Sequence, residues 1–150
     1  MKKLPIVMPS NNPETAFILN QEFPNRLGVL FTPGTTLEPM DLQYVLDNGR
    51  FSARKEGTKW SEKKFMEMLD EAKKLHYDPI WLVVPDVVGD SRKTLEEWNI
   101  WYDKLIQYGW KLAIAVQNGM TVDDILQLQN KPDVIFVGGS TDWKWKMAEV

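Results

Sequence analysis

The sequence predicts an α/β fold built on a parallel β-sheet. Short, continuously apolar segments alternate along its 150 residues with segments whose apolar residues recur at helical spacing. The apolar segments are rich in β-branched and aromatic residues and end in turn-forming residues, which is typical of strands buried on both faces. Strands that alternate with helices in this way favour a parallel sheet covered by helices.

Six segments are strand candidates, and each ends in glycine, proline, asparagine or another turn former. They are residues 6–8, 27–31, 43–46, 80–84, 111–116 and 134–137. The whole chain, residues 1–150, is then a single domain, because no linker, repeat or low-complexity tract divides it.

The helix candidates are recognised by their apolar spacing and their first residues. In the segment 61–76, Phe65, Met68, Leu69, Ala72 and Leu75 form one apolar stripe. Ser61, Ser91 and Thr121 are the predicted N-caps of three helices, and Asp142 is the predicted cap of a helix after the last strand.

Composition and charge exclude several classes of protein. With no cysteine the chain forms no disulfide framework and no thiolate metal site, and a reducing cytosol is the simplest setting. No apolar segment approaches the ~18 residues of a membrane span. The net charge of −3 argues against a large phosphate-binding face, although Lys144 and Lys146, interleaved with Trp143 and Trp145, could form a local basic patch.

Polar residues follow four of the predicted strands directly or within a few positions. They are Asp47, Asp86, Gln117 and the pair Gly138 and Gly139. The carboxyl ends of parallel strands share one edge, where such folds build their sites. Two carboxylates, an amide and exposed backbone match a flat heterocycle such as guanine. A simple turn-forming role is an equally good reading of Asn48-Gly49 and Asn118-Gly119.

Two other site types are not indicated. There is no glycine-rich phosphate-binding fingerprint of the dinucleotide or P-loop type. His76 is the only histidine, so the chain carries no evident metal-ligand set.

The segments VLDNGRFS, VVPDVVGD, AVQNG and IFVGGSTDWKW, in that order, resemble the tRNA-guanine transglycosylase superfamily over roughly residues 27–146. The similarity is greatest to the phage and bacterial branch that inserts 7-deazaguanines into DNA. The resemblance implies a parallel β/α barrel, here a partial barrel of about six strands. It also implies a guanine or 7-deazaguanine ligand, a nucleic acid substrate with DNA favoured over tRNA, no cofactor and no membrane partner.

The resemblance also assigns roles to residues. Asp47 matches the family's acid/base aspartate, while Asp86, Gln117, Gly138 and Gly139 match its base-binding residues. The family reaction is a double displacement through a glycosyl-carboxylate intermediate.

Two family features are missing from the sequence. The family barrel has typically ~250 residues, and its nucleophilic aspartate lies on a later strand, beyond Val150. The zinc-binding Cys/His cluster of the tRNA enzymes is also missing. Asp142 and Asp90 are the remaining carboxylates that could act as nucleophile, although helix capping explains both more simply.

Three explanations of the short chain stay open: a truncated chain, a split gene, or a reduced domain that binds without turnover. A second copy or a partner chain could complete the barrel. The function expected is therefore guanine exchange as the base-binding part of the enzyme. The alternatives are a non-catalytic purine-binding protein or subunit, and an unrelated α/β domain whose loop residues only form turns.

Overall fold

A computed structural model of the protein describes residues 5–8 and 12–148. Five strands form one sheet: β1 (Gly28–Phe31), β2 (Gln43–Leu46), β3 (Leu82–Val83), β4 (Leu112–Val116) and β5 (Val134–Val137). All pair in parallel, and their order across the sheet is their order along the chain. The α/β fold and the parallel sheet predicted from the sequence are confirmed.

The first predicted strand, residues 6–8, is not a strand of this sheet. It contributes one isolated parallel bridge, between Val7 and Leu27. Pro5 and Pro9 flank the segment, and proline has no N–H to extend a ladder of hydrogen bonds.

Six α-helices accompany the sheet in the described part of the chain. They are α1 (Pro13–Glu22), α2 (Arg50–Glu56), α3 (Glu62–Ala72), α4 (Ser91–Leu105), α5 (Val122–Leu126) and α6 (Thr141–Ala148). A short 3₁₀ helix, Ile106–Tyr108, extends α4 and ends at Gly109, whose φ is +76°. A loop, rather than a helix, connects β1 to β2.

The helix starts agree in part with the predicted caps. Ser61 and Thr121 cap α3 and α5, and Thr121 forms a capping box with Asp124. The prediction for Ser91 was wrong by one residue, because the Asp90 carboxylate accepts from the Lys93 amide and Ser91 is the first helical residue.

The prediction for Asp142 was also wrong. Asp142 lies within the first turn of α6. The hydroxyl of Ser140 accepts from the Trp143 amide instead, at 3.4 Å.

The two faces of the sheet are buried in different ways. On one face, Phe31, Tyr44, Leu46, Leu82 and Ile114 pack in the main core with the apolar sides of α3 and α4. On the other face, the buried cluster of Val83, Ala113 and Ala115 is completed by Trp81, Val134 and Phe136, which come from the sheet and the loop before β3. The apolar residues described in this second cluster therefore come from the sheet and the loop before β3, and none comes from a helix.

Strand β5 is the uncovered edge of the sheet. Val134 and Phe136 point toward the cluster on the second face, and the alternate residues Ile135 and Val137 are 50% and 45% exposed. The edge of β5 therefore presents apolar side chains to solvent.

Candidate functional site

The carboxyl ends of the strands form one cavity of about 270 Å³. Asp47 follows the last residue of β2, Gln117 the last of β4, and Gly138 the last of β5, while Asp86 lies three residues beyond β3. These residues and Gly139 all line what we call the strand-end cavity. Its other lining residues are Leu30, Thr32, Asn48, Phe51, Ser52, Val83, Val88, Ala115, Phe136 and Lys144.

The floor and walls of the strand-end cavity are largely apolar. Leu30, Val83, Ala115 and Phe136 come from strands, and the ring of Phe51, on α2, is exposed at the side. Ligand pockets commonly combine such apolar surface with a few convergent polar groups, in volumes of roughly 300–1,000 Å³. At about 270 Å³ the strand-end cavity has the size for a small ring system.

A chain of buried hydrogen bonds crosses the polar side of the cavity. Asp86 accepts from Asn48 Nδ2 at 2.8 Å through one carboxylate oxygen and from Gln117 Nε2 at 2.6 Å through the other. The side-chain oxygen of Gln117 accepts from the Gly89 amide at 3.0 Å, and Asn48 Nδ2 also reaches the carbonyl of Val84 at 2.9 Å. Asn48, Asp86 and Gln117 are only 1%, 6% and 2% exposed. Their geometry is consequently fixed before any ligand arrives.

Burial changes the acidity of both carboxyl groups. Desolvation raises the pKa of Asp86 to about 6, and repulsion from Asp47 adds to this, while the bond from Asn48 and the charge of Arg50 oppose it. Desolvation also raises the pKa of Asp47, against backbone hydrogen bonds from Gly49 and Asn48. Carboxyls whose pKa lies near the working pH are suited to proton transfer.

Asp47 is bound differently from Asp86. Its carboxylate accepts from the Gly49 amide at 2.9 Å, and no side-chain donor among the described residues hydrogen-bonds to it. Asp47 is therefore the carboxyl of the pair that is freer to exchange a proton with a ligand.

Asn48 is a site residue that the sequence does not single out. A turn-forming role and a functional role are equally good readings of Asn48-Gly49, and in the structure the Asn48 amide supports Asp86. Trp60 Nε1 donates to the Asn48 carbonyl at 2.7 Å, and the Arg50 amide donates to Asn48 Oδ1 at 2.8 Å. The Arg50 guanidinium lies 4.0 Å from the centre of the Trp60 ring. The contact with the Arg50 amide is the local turn that an Asn-Gly pair predicts, whereas Asp86 and Trp60 are distant in sequence and nothing in the pair indicates them.

The two glycines after β5 have separate roles. The Gly138 amide donates to the Val116 carbonyl at 3.0 Å, and a Cβ at Gly138 would lie 2.8 Å from Gln117 Nε2. Gly138 thus leaves space for Gln117. The Gly139 amide has no acceptor among the described residues, and its φ of +77° favours glycine. Of the two, only Gly139 has a backbone donor that a ligand could use.

Asp90 and Asp142 do not line the strand-end cavity. Asp90 caps α4, and Asp142 is exposed on α6. Asp47 and Asp86 are therefore the carboxylates that this cavity contains in the described part of the chain.

Of the predicted basic patch, Lys144 lines the cavity, Trp143 packs against the main core, and Trp145 and Lys146 are exposed. Within residues 5–8 and 12–148, no group of three or more Asp, Glu or His side chains is arranged to hold a metal ion. No helix in that same part of the protein has the length and apolar character needed to cross a membrane.

The fold and site define an α/β protein with a pair of carboxyl groups, the half-buried Asp47 and the buried Asp86, at the carboxyl ends of the strands of a parallel sheet. Comparisons with protein-family models, with curated proteins and with solved structures give no match.

Proposed function

We propose that the strand-end cavity binds a guanine-type base, and that the chain is the base-binding part of an enzyme exchanging guanine for a 7-deazaguanine in nucleic acid, with DNA favoured over tRNA. The observation that carries this proposal is the pair Asp47 and Asp86, a half-buried and a buried carboxyl in one small, largely apolar cavity, both with a raised pKa. Guanine offers adjacent N–H and amino donors to such acceptors and a carbonyl to donors such as Gln117 or the Gly139 amide.

Aromatic side chains support a flat ligand. Phe51 and Phe136 both line the cavity, one on α2 and the other on β5. Stacking on such rings favours a planar heterocycle over a sugar or an aliphatic acid of similar volume.

In the proposed reaction a carboxylate attacks the anomeric carbon and the glycosidic C–N bond breaks, with its electrons passing to the base. The departing base gains a proton, and the incoming base loses one as it forms the new C–N bond and releases the carboxylate. Asp47 would transfer these protons, because its raised pKa allows it to hold one. Asp86, Gln117 and Gly139 would hold the base, with Gly138 leaving room for Gln117.

We also propose that the sheet is part of a β/α barrel. A strictly sequential order of parallel strands is the order of such barrels, whereas open doubly wound sheets reverse at a switch point. The inner position of Val83, Ala113 and Ala115, covered by neighbours from the same sheet, supports a curled sheet with a closed interior.

Binding without exchange is the second candidate function, and one observation favours it. Asp86 is assigned to holding the base and Asp47 to proton transfer, so the described residues offer no further carboxylate in the strand-end cavity for attack on the sugar. We therefore expect the 150-residue chain alone to bind base without incorporating labelled guanine into DNA or tRNA. Addition of a chain that completes the barrel should start exchange, and robust exchange by the chain alone would contradict this assignment.

Titration calorimetry with guanine, 7-deazaguanine and adenine tests the binding proposal. Asp86→Ala should weaken guanine binding by about 1.5–3 kcal/mol and Gln117→Ala by about 1 kcal/mol, because hydrogen bonds to a charged acceptor are the stronger. Asp86→Asn keeps the shape of the side chain and removes its charge, so a loss of guanine affinity in this variant is not caused by a cavity left in the fold. Asp103→Ala, an exposed acidic position on α4 outside the cavity, is the matched control. Equal guanine affinity in the wild type, in Asp86→Ala and in Gln117→Ala would refute the pocket assignment.

A further inference from the structure

A second cavity adjoins the strand-end cavity and has a different chemistry. It measures about 500 Å³ and lies between the loop after β1, helix α2 and the start of α3. Thr32 and Ser52 line both cavities, so the two lie side by side. We call it the hydroxyl groove. Its lining residues are Thr32, Pro33, Gly34, Thr35, Gly49, Ser52, Ala53, Glu56, Thr58, Lys59, Trp60, Ser61 and Lys64.

The hydroxyl groove offers hydrogen-bond donors and two lysines against one carboxylate, that of Glu56, so its charged groups sum to one positive charge. The hydroxyls of Thr32, Ser52 and Ser61 donate to no other described residue. The ammonium groups of Lys59 and Lys64 form no ion pair with a described carboxylate. Hydroxyls and unpaired ammonium groups around one space are the donors that bind phosphate oxygens.

We propose that the hydroxyl groove holds a phosphate of the nucleotide whose base lies in the strand-end cavity. This inference rests on the proposed function and narrows its ligand from a free base to a nucleotide unit. The base would lie beside Asp47 and Asp86, the sugar would pass between Thr32 and Ser52, and the phosphate would lie near Lys59 and Lys64.

The surroundings of Lys64 limit the groove to about one phosphate. Beyond Lys64, the next depression in the surface is lined by Glu67 and Glu71, and carboxylates repel a polyanionic backbone. The stem of Lys64 lies over Gly34, 3.8 Å from where a Cβ would be, and Lys64 lines both the groove and this acidic depression, at the boundary between them.

Calorimetric titration with guanosine and with its 5′- and 3′-monophosphates tests the inference. One monophosphate should bind about tenfold more tightly than guanosine, as expected for exposed charge-assisted contacts. The double variant Lys59→Gln/Lys64→Gln should lose most of that difference while its affinity for guanosine is unchanged. Raising the salt concentration should weaken the binding of the monophosphate and leave the binding of guanosine unchanged.

Two further variants make the result specific. Lys111 lies directly before β4, at the amino ends of the strands and so opposite the strand-end cavity. Lys111→Gln should therefore leave the tighter binding of the monophosphate unchanged. If Lys144→Gln instead removes the tighter binding of the monophosphate, the phosphate lies beside α6 rather than in the hydroxyl groove, and the inference is wrong. Monophosphates that bind no better than guanosine overturn this inference alone. Failure of guanine, 7-deazaguanine and guanosine all to bind overturns the proposed function and this inference with it.

Discussion

The Asp86 carboxyl links the chemistry of the cavity to the stability of the protein. Its pKa is about 6 in the folded state, against 3.8 for an unperturbed group. A raised pKa means that the folded state holds the proton more tightly than the unfolded state. The stabilisation is therefore fully present below pH 3.8 and is lost as the pH rises through about 6.

Comparison with Asp86→Asn measures this effect together with its coupling to Asp47, because the other titrating groups are shared by the two proteins. Between pH 3 and pH 8 the free energy of unfolding of the wild type should fall by roughly 3 kcal/mol relative to the variant, from a difference of about two pKa units. Urea unfolding at several pH values measures both curves. Curves that stay parallel across this range would show that Asp86 is not desolvated as described.

The site residues that could be predicted are those whose position follows from the strand pattern. Asp47, Asp86, Gln117 and the Gly138-Gly139 pair were expected at one edge because parallel strands end there, and the structure places all five in one cavity. The roles of Asn48, Arg50 and Trp60 in the site could not be predicted. They depend on contacts among these three residues and on the hydrogen bond from Asn48 to Asp86, which follows a different strand.

At the scale of elements, the N-cap of helix α4 can be tested directly by substitution. The Asp90 carboxylate accepts from the Lys93 amide at 3.0 Å, and Ser91 makes no side-chain hydrogen bond among the described residues. Asp90→Ala should lower the free energy of unfolding by about 1 kcal/mol, since it removes an N-cap. Ser91→Ala should change it by less than about 0.5 kcal/mol. Chemical unfolding of both variants measures these changes. A larger loss of stability in Ser91→Ala than in Asp90→Ala would show that Ser91 is the cap.

Elements with local signals were predicted, and those without them were missed. Helix α3 has an apolar stripe and a serine cap, and α5 has a capping box. Helix α2 follows Gly49, which has no side chain that could cap it. Helix α1 has no clear apolar stripe, although Asn12 caps it and Pro13 is its first residue. The Asn-Pro pair is as typical of a loop as of a helix start, so only the tertiary contacts separate the two.

At the scale of the whole molecule, the uncovered edge at β5 should cause association. Ile135 and Val137 lie on one exposed face, beside a strand edge that no other described strand pairs. Sedimentation should show mass increasing with protein concentration. Ile135→Thr/Val137→Thr should reduce this association with little loss of stability, because threonine keeps the preference for strands.

Ile100→Thr, at an exposed apolar residue of α4, is the control and should associate as the wild type does. A strictly monomeric wild type over a wide range of concentration would refute the expectation. It would also weaken the proposal that a further chain completes the barrel.

The hydrogen bonds between Gln117, Asp86 and Gly89 also determine the thermodynamic signature of binding. Because these polar groups already satisfy one another, a base that reaches Asp86 must displace or share the Gln117 amide, and the count of hydrogen bonds changes little. The gain in enthalpy from Asp86 is then partly cancelled, and the apolar surface of Phe51, Phe136 and Ala115 supplies much of the net affinity. Burial of that surface gives a negative heat capacity of binding. If Gln117 releases Gly89 when it moves, the turn before α4 moves as well, and occupancy of the cavity is then transmitted to the helix that begins at Ser91.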